Sequence, residues 1–517
     1  MNAPAQTRHP LLWLLLAVFV LLLAAAVTGV LILRRHAEPI LRARVIESLS
    51  ARFNSKVELG EFHGEVRDGL LVQGSNLKLY PRAIAWEKPL FAIRRFSFHT
   101  SWKELLRTPM HVELVQVEGM ELNLPPKDQR SKMPEITHAQ EKISIYVHEM
   151  DITEAHLTLG TSNPGKLPLE FDISQLVLHT IAQGQPMKFQ TTLVNPKPVG
   201  DIASSGYFGP FNADSPGDSN VRGSYEFSHA DLSTIKGIGG MLSSQGQYSG
   251  TLNQITVDGS TETPDFSVSI SGHPVPLQTT FHAIVDGTNG DTLLDPVDAT
   301  LAHSHLIARG RIVRAEDRSG HDIHLHVIVD KARVEDLLRL GVRTDPPVMT
   351  GAAQLTTALE LPSGDIPVHR KLRLHGRFSI ERAHFTNPAT QNKIDSLSLR
   401  GQGKPKEAAE PNPDDVFSRM KGNFTLRNDR LMLDALQYNV PGLQVNLDGV
   451  YSLDGNDFDF HGKARLDARL SHMTTGWKSL LLKPVDPFFA KDGAGTVLPV
   501  KITGTRSEPH FGLDFGH

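Results

Sequence analysis

LQVNLDGVYSLDGNDFDFHGKARLDARL, residues 443–470, decides the fold class. Leu443, Val445 and Leu447 alternate with Gln444, Asn446 and Asp448. After Gly449 the chain returns. Phe458 and Phe460 alternate with Asp457, Asp459 and His461, and Ala464, Leu466, Ala468 and Leu470 with Arg465, Asp467 and Arg469. Apolar residues at every second position give a strand one face for a core and one for water.

The same period recurs on both sides of this stretch. Phe266, Val268 and Ile270 alternate with Ser267, Ser269 and Ser271, and Ile323, Leu325, Val327 and Val329 with His324, His326 and Ile328. Strands are expected at 70–73, 91–98, 111–117, 120–124, 143–147, 155–159 and 169–178, and two more in VLPVKITGTRSEPHFGLDF at 497–515. The 42 Gly and 33 Pro are scattered, which suits many turns between short strands. Residues 194–220, rich in Pro, Gly, Asp and Ser, read as a long loop, and PPKDQRSKMP at 125–134 as a shorter one.

Helical period is confined to a few places. PILRARVIESLSARF at 39–53 puts Ile40, Leu41, Val45, Leu49 and Phe53 on one stripe, and is expected to cap an exposed sheet edge. Residues 102–106, DKARVEDLLRL at 330–340 and residues 472–482 read as short helices.

Upstream, Leu11–Leu33 reads LLWLLLAVFVLLLAAAVTGVLIL, without a charge. About 20 apolar residues are what a helix needs to cross ~30 Å of hydrocarbon. A cleavable signal has a shorter apolar core, so an uncleaved anchor is expected. Arg34, Arg35, Arg42 and Arg44 follow the span and only Arg8 precedes it. The positive-inside rule would therefore place the body in the cytoplasm, but long domains translocate largely regardless of charge. The chain divides into a tail at 1–10, the span at 11–33, an N-terminal region at 34–124, a repetitive body at 125–400, a charged linker at 401–416 and a C-terminal region at 417–517.

Composition narrows the function classes. The net charge is −4, from 53 basic and 57 acidic residues, so there is no broad basic field for nucleic acid. Cys is absent, which removes disulfides, thiolate nucleophiles and Cys-ligated metals. No GxSxG motif is present. GIGG at 237–240 and GQGK at 401–404 lack the residues and strand–helix setting of a phosphate loop. Among the 24 His, the densest group is His303, His305, His321, His324 and His326. If its two strands form a hairpin turning near Asp317, the pairs lie apart along it, so solvent-facing positions are expected. His148-Glu149 is not followed by the second His of a zincin. No catalytic, cofactor or metal site is expected, and the chain reads as a non-enzyme.

Alternating strands can pair into a sandwich or barrel, or form one sheet curled lengthwise with its apolar face lining a gutter. Roughly twenty strands at ~4.8 Å would make a gutter of about 100 Å. Each acyl CH₂ buried there would contribute about 0.8 kcal/mol.

Three stretches carry a resemblance. They are DGLLVQGSNLKL at 68–79 with VELVQVEGMELNLP at 112–125, YNVPGLQVNLDGVYSL at 438–453, and LPVKITGTRSEPHFGLD at 498–514. With the anchor and short helix before them, they resemble the AsmA-like family of bacterial inner-membrane proteins, relatives of TamB and YhdP. The resemblance implies an elongated, curled antiparallel β-groove with a few capping helices and a single-pass anchor in the inner membrane. It also implies a body in the periplasm and a role in moving phospholipid toward the outer membrane. It transfers no catalytic residue. Candidate lining positions are Phe266, Val268, Ile270, Leu443, Val445, Leu447, Leu466 and Leu470. Expected partners are phospholipid acyl chains and inner- or outer-membrane proteins. The alternative is a non-transporting envelope scaffold or outer-membrane protein assembly factor.

Overall fold

The structure is a computed structural model describing residues 37–53, 55–66, 69–82, 88–105, 107, 110–124, 145–159, 169–182, 184–210, 216–315, 320–409, 418–453, 457–473, 495–505 and 508–514. The expected tail at 1–10, the span at 11–33 and the loop at 125–134 lie outside the described residues. Among the described residues, no helix is long and apolar enough to cross a membrane.

The protein is mainly β, with few helices. Its first strands are β1 (Ser55–Glu58), β2 (Phe62–Val66), β3 (Gly69–Pro81), β4 (Phe91–Ser101), β5 (Met110–Leu124), β6 (Ile145–Leu159) and β7 (Leu169–Ile181). The middle holds β8 (Met187–Pro196), β9 (Val199–Phe208), β10 (Asn220–Asp231), β11 (Ile238–Gly239), β12 (Met241–Thr251), β13 (Gln254–Val268), β14 (Val275–Val285), β15 (Thr292–Leu301), β16 (Ser304–Arg314) and β17 (His321–Arg333). The last are β18 (Met349–Leu361), β19 (Arg373–Phe385), β20 (Arg419–Arg427), β21 (Arg430–Val440), β22 (Leu443–Ser452), β23 (Asp457–Leu466), β24 (Thr496–Thr505) and β25 (Pro509–Leu513). Among the described residues, five α-helices accompany them: α1 (Ala37–Phe53), α2 (Trp102–Leu105), α3 (Val334–Gly341), α4 (Val368–Lys371) and α5 (Pro388–Gly401).

All the strands belong to one hydrogen-bonded sheet, and almost every strand pairs with its neighbour in sequence. β1 and β2 lie end to end along β3. Among the described residues β25 pairs only with β24, and the sheet does not close on itself. The expectation of a purely antiparallel sheet is corrected at one point: β5 and β6 pair in parallel from Met110↔Ile145 to Leu124↔Leu159. A parallel pair needs a crossover of a dozen or more residues, and residues 125–144 supply the length.

Other expectations change too. The stretch at 194–220 is largely strand, since β8 runs to Pro196 and β9 fills 199–208. Its Gly and Ser belong to strands in tight contact: a Cβ on Gly206 would lie 2.1 Å from the Arg222 carbonyl oxygen. The helix expected at 330–340 begins at Val334, because 331–333 still pair as strand, with Ala332 opposite Ala353. Ile270 lies beyond the end of β13, and Leu470 opens a 3₁₀ turn (Leu470–Met473) after β23 has ended. The stretch at 401–416 begins at the end of α5, and β19 and β20 on either side of it are paired, so the sheet runs through.

The helices cover apolar surface. Val45 and Leu49 of α1 are fully buried in a core with Val57, Leu59 and Phe62, and Arg42 Nε donates to the Gly60 carbonyl at 2.7 Å. α1 thus covers the β1–β2 edge. α5 starts on a strong signal: the Asn387 side chain accepts from the Ala389 and Thr390 amides, and Pro388 occupies the first turn. Ile394 of α5 packs against Leu443, Ala464 and Leu466.

Asp395 of α5 is fully buried and accepts from Gln391 Nε2 at 2.8 Å, while its second oxygen has no hydrogen-bond partner. Burial pushes its carboxyl pKa up, against the lowering effect of the Gln391 bond. The folded protein therefore holds this proton more tightly than the unfolded chain. The stabilisation is present below the unfolded pKa, ~3.9, and is lost as pH rises through the folded value. Asp395→Asn is expected to raise the Tm at pH 8, with the gain shrinking toward pH 4. Thermal unfolding across that range measures it, and a gain independent of pH would contradict the assignment.

β-Bulges interrupt alternate strands, at Thr263/Phe266 on β13, Leu294/Val297 on β15 and Val329/Ala332 on β17. Each bends its strand and sharpens its twist. The cumulative bend brings the two long edges of the sheet together. The loop between β18 and β19 leaves the edge opposite the one where β10 and β13 end. Yet Val368 N–H donates to the Lys236 carbonyl at 2.9 Å, and Lys236 Nζ meets Asp365 Oδ2 at 2.5 Å. His369 Nδ1 is 3.4 Å from Ser269 Oγ. The Lys236 ammonium holds the Asp365 carboxyl below the usual carboxylate range.

Candidate functional site

In a sheet, directly paired residues share a face, so register can be followed across the molecule. One row starts at Phe62 and passes through Gly74, Phe96, Val117, Ile152 and Leu176. It continues through Thr191, Ser204, Tyr225, Gly246, Gly259, Phe281, Val297, Ala308, Val327 and Thr357. It ends through Gly376, Phe424, Leu433, Gly449, Phe460 and Ile502. The row crosses every strand from β2 to β24 except the two-residue β11, and it contains no charged residue.

A second row beside it is equally free of charge. It runs from Val72, Phe98 and Val115 through Phe189, Gly206, Gly223, Tyr248, Val257, Ala283, Leu294, Gly310, Leu325, Leu359 and Leu374. It finishes at Leu426, Leu431, Tyr451 and Phe458. Rows on the other face differ. Gln175, Thr192, Ala203, Glu226, Gln245, Ser260, Thr280 and Asp298 form one of them.

Cover varies along the uncharged track. Over β2–β7 its residues are buried in an ordinary core, with Val72, Phe98 and Val115 at 0–1 % exposure. From β8 onward most are half-buried, with closed points at Ala283, Ala308, Thr357, Phe424 and Leu426. The half-buried stretch begins in a zone of Tyr, Ser, Thr and Gly. Ser204 Oγ donates to the Ser224 carbonyl at 2.9 Å, so the Tyr248 hydroxyl, 2.7 Å away, donates to Ser204. By the same logic Tyr225 donates to Ser244, whose own proton goes to the Ser260 carbonyl. Burial pushes both phenols' pKa values up, so these rings stay neutral. The rings lie over bare backbone: a Cβ on Gly259 would meet Tyr225 Oη at 2.7 Å and Phe281 Cζ at 2.8 Å. Open depressions of about 890, 600 and 570 Å³ draw most of their side chains from the other, polar face, such as Gln190, Glu226 and Gln247 in the largest.

The sequence-derived lining positions divide into three groups. Phe266 and Val268 lie on the apolar face near the end of β13, paired with Val275 and Ile238. Leu443, Val445, Leu447 and Leu466 are on the same face, but Leu443, Val445 and Leu466 belong to the core beneath α5, and Leu447 is buried. Ile270 and Leu470 lie off the strands, and Ile270 offers its carbonyl to Arg343 Nε at 2.8 Å. The half-buried positions that sequence reading passed over include Phe281, Val297, Leu325 and Leu359. Their signal was alternation; in β15 a bulge between Leu294 and Val297 shifts its phase, while Phe281 keeps step with Ala283 on β14.

The expected separation of the His pairs is consistent with the register: Arg311 faces His324 and Gly310 faces Leu325, while His305 sits between Asp298 and Asp330. A different group converges instead. Glu104, His111 and His148 each place one ligating atom within 4.8 Å of the others. They come from α2, β5 and β6, and only the parallel pairing joins them.

No family model, curated protein or solved structure matches this chain.

Proposed function

We propose that this chain is a membrane-anchored, periplasmic, AsmA-like protein whose bent sheet forms a groove that binds and moves phospholipid between inner and outer membrane. The observation that carries this reading is the double row without a single charge from β2 to β24. An ordinary solvent-facing sheet surface carries charge every few residues, as the opposite face does here. The half-buried part, from β8 on, extends about 70 Å at ~4.8 Å per strand. That is ample for acyl chains laid along it, each CH₂ contributing about 0.8 kcal/mol. The contact of Asp365 and Val368 with Lys236 joins the two long edges of the sheet and would give the groove a partial roof. The charge-free segment at 11–33 would tie one end to the bilayer. A groove of this length serves as a carrier or as one section of a longer path, in keeping with a role in outer-membrane homeostasis.

The reading is tested by native mass spectrometry of the full-length chain, extracted from bacterial membranes in a mild amphipathic polymer. Stoichiometric phospholipid that survives delipidating washes is expected. A chain that sheds all its lipid and stays folded would overturn the groove. A second reading, the envelope scaffold or assembly factor, draws on β2–β7, where most of the apolar face is packed into an ordinary core.

A further inference from the structure

We propose that Glu104, His111 and His148 form a binding site for a divalent transition metal, zinc above all. The site is independent of the lipid reading. Glu104 Oε2 and His111 Nδ1 are 3.1 Å apart. Ligands around a tetrahedral ion with bonds of ~2.0–2.1 Å lie about 3.3 Å apart, so this pair already has the right spacing. Both atoms are buried, and neither makes a hydrogen bond. Arg107 Nη1 lies 2.9 Å from Glu104 Oε2 as an exposed ion-pair partner, a common outer-shell arrangement for a ligating carboxylate. The His111 ring stacks on Tyr146 at 4.8 Å, and His148 meets the edge of the same ring at 4.8 Å. Tyr146 therefore orients both imidazoles. His148 is exposed, with its ligating atom within 4.8 Å of the other two, and is free to swing inward to complete the set.

The donor set selects the ion. Two imidazole nitrogens and one carboxylate suit zinc, cobalt, nickel or ferrous iron, whereas calcium and magnesium prefer oxygen alone. Three protein ligands leave a fourth position for water. The placement suggests a use. β5 and β6 are the only adjacent strands that pair in parallel among the described residues, and no short hairpin turn joins them. An ion held by α2, β5 and β6 pins that junction.

The test uses full-length protein without an affinity tag, stripped with chelator and titrated with Co²⁺ by visible absorption and with Zn²⁺ by calorimetry. One equivalent of ion is expected to bind at least tenfold more tightly than the remaining weak sites among the 24 His, and to raise the Tm. His148→Ala, at an exposed position, should abolish that equivalent, and Glu104→Gln should weaken it at least tenfold. A His303→Ala/His305→Ala control should keep it. The absence of a stoichiometric ion in the native chain, or its persistence in His148→Ala, would overturn the site.

Discussion

Phe281→Glu combined with Val297→Asp is expected to cut co-purified phospholipid at least tenfold while leaving the sheet folded. The two residues are direct partners on β14 and β15, in the middle of the uncharged row. Both are half-buried, so in the empty groove the new carboxylates reach water and ionise. An acyl chain laid over them would bury two unpaired charges, a cost of several kcal/mol that contact with CH₂ groups does not offset. Removing the Phe281 ring from its place over Gly259 costs about 1–2 kcal/mol of packing, small against a sheet of this size. Thr192→Glu is the matched control, because Thr192 is exposed on the polar face between Gln175 and Ala203. Mass spectrometry of the three proteins gives lipid per chain, and circular dichroism gives folding. Native lipid content in the double variant would remove this row from the path.

Asp336→Ala is expected to destabilise the α3 end of the sheet by about 3 kcal/mol. Asp336 is 4 % exposed, one of the few buried acids. Its Oδ2 accepts from Ser304 Oγ at 2.8 Å and from the His303 amide at 3.0 Å. Ser304 Oγ in turn accepts from the Arg333 amide at 2.9 Å. One carboxylate thus ties the β15–β16 turn to the start of α3. Removing it strands buried donors, each costing about 1–3 kcal/mol. Asp336→Asn keeps an acceptor oxygen and is expected to lose only about 1 kcal/mol. A sheet in which each strand mainly touches its neighbours opens in parts. Amide hydrogen exchange over 301–306 and 333–341 is therefore the appropriate measure, beside global unfolding. Equal protection in Asp336→Ala and the native chain would show that the carboxylate carries no such tie.

Much of the fold was legible because it rests on local rules. The alternation at 443–447 placed Leu443, Val445 and Leu447 on one face, and the register agrees. The stripe of α1 predicted its buried side, with Val45 and Leu49 at 0 % exposure. α5 was not among the expected helices, although Asn387 and Pro388 cap its start. The candidate site was less legible. Leu443 and Leu466 have the alternation of lining residues, but α5 covers them, and periodicity says nothing about what packs on top. Val297 has a weaker pattern because a bulge shifts the phase within β15, while Phe281 keeps its phase on β14 and its alternation says nothing about how far it is covered.

By itself, then, the sequence determined that the chain makes many short strands with one apolar and one polar face, since side-chain direction alternates with a period of two whatever the strand's neighbours are. Tertiary structure alone decided three further things. Consecutive pairing aligned the uncharged positions of separate strands into two continuous rows. The bulges bent the sheet until Asp365 met Lys236 across its edges. The parallel pairing of β5 with β6 brought His148 to Glu104 and His111. Each of these depends on which strands lie side by side and in what register, a choice made by contacts between residues distant in the chain.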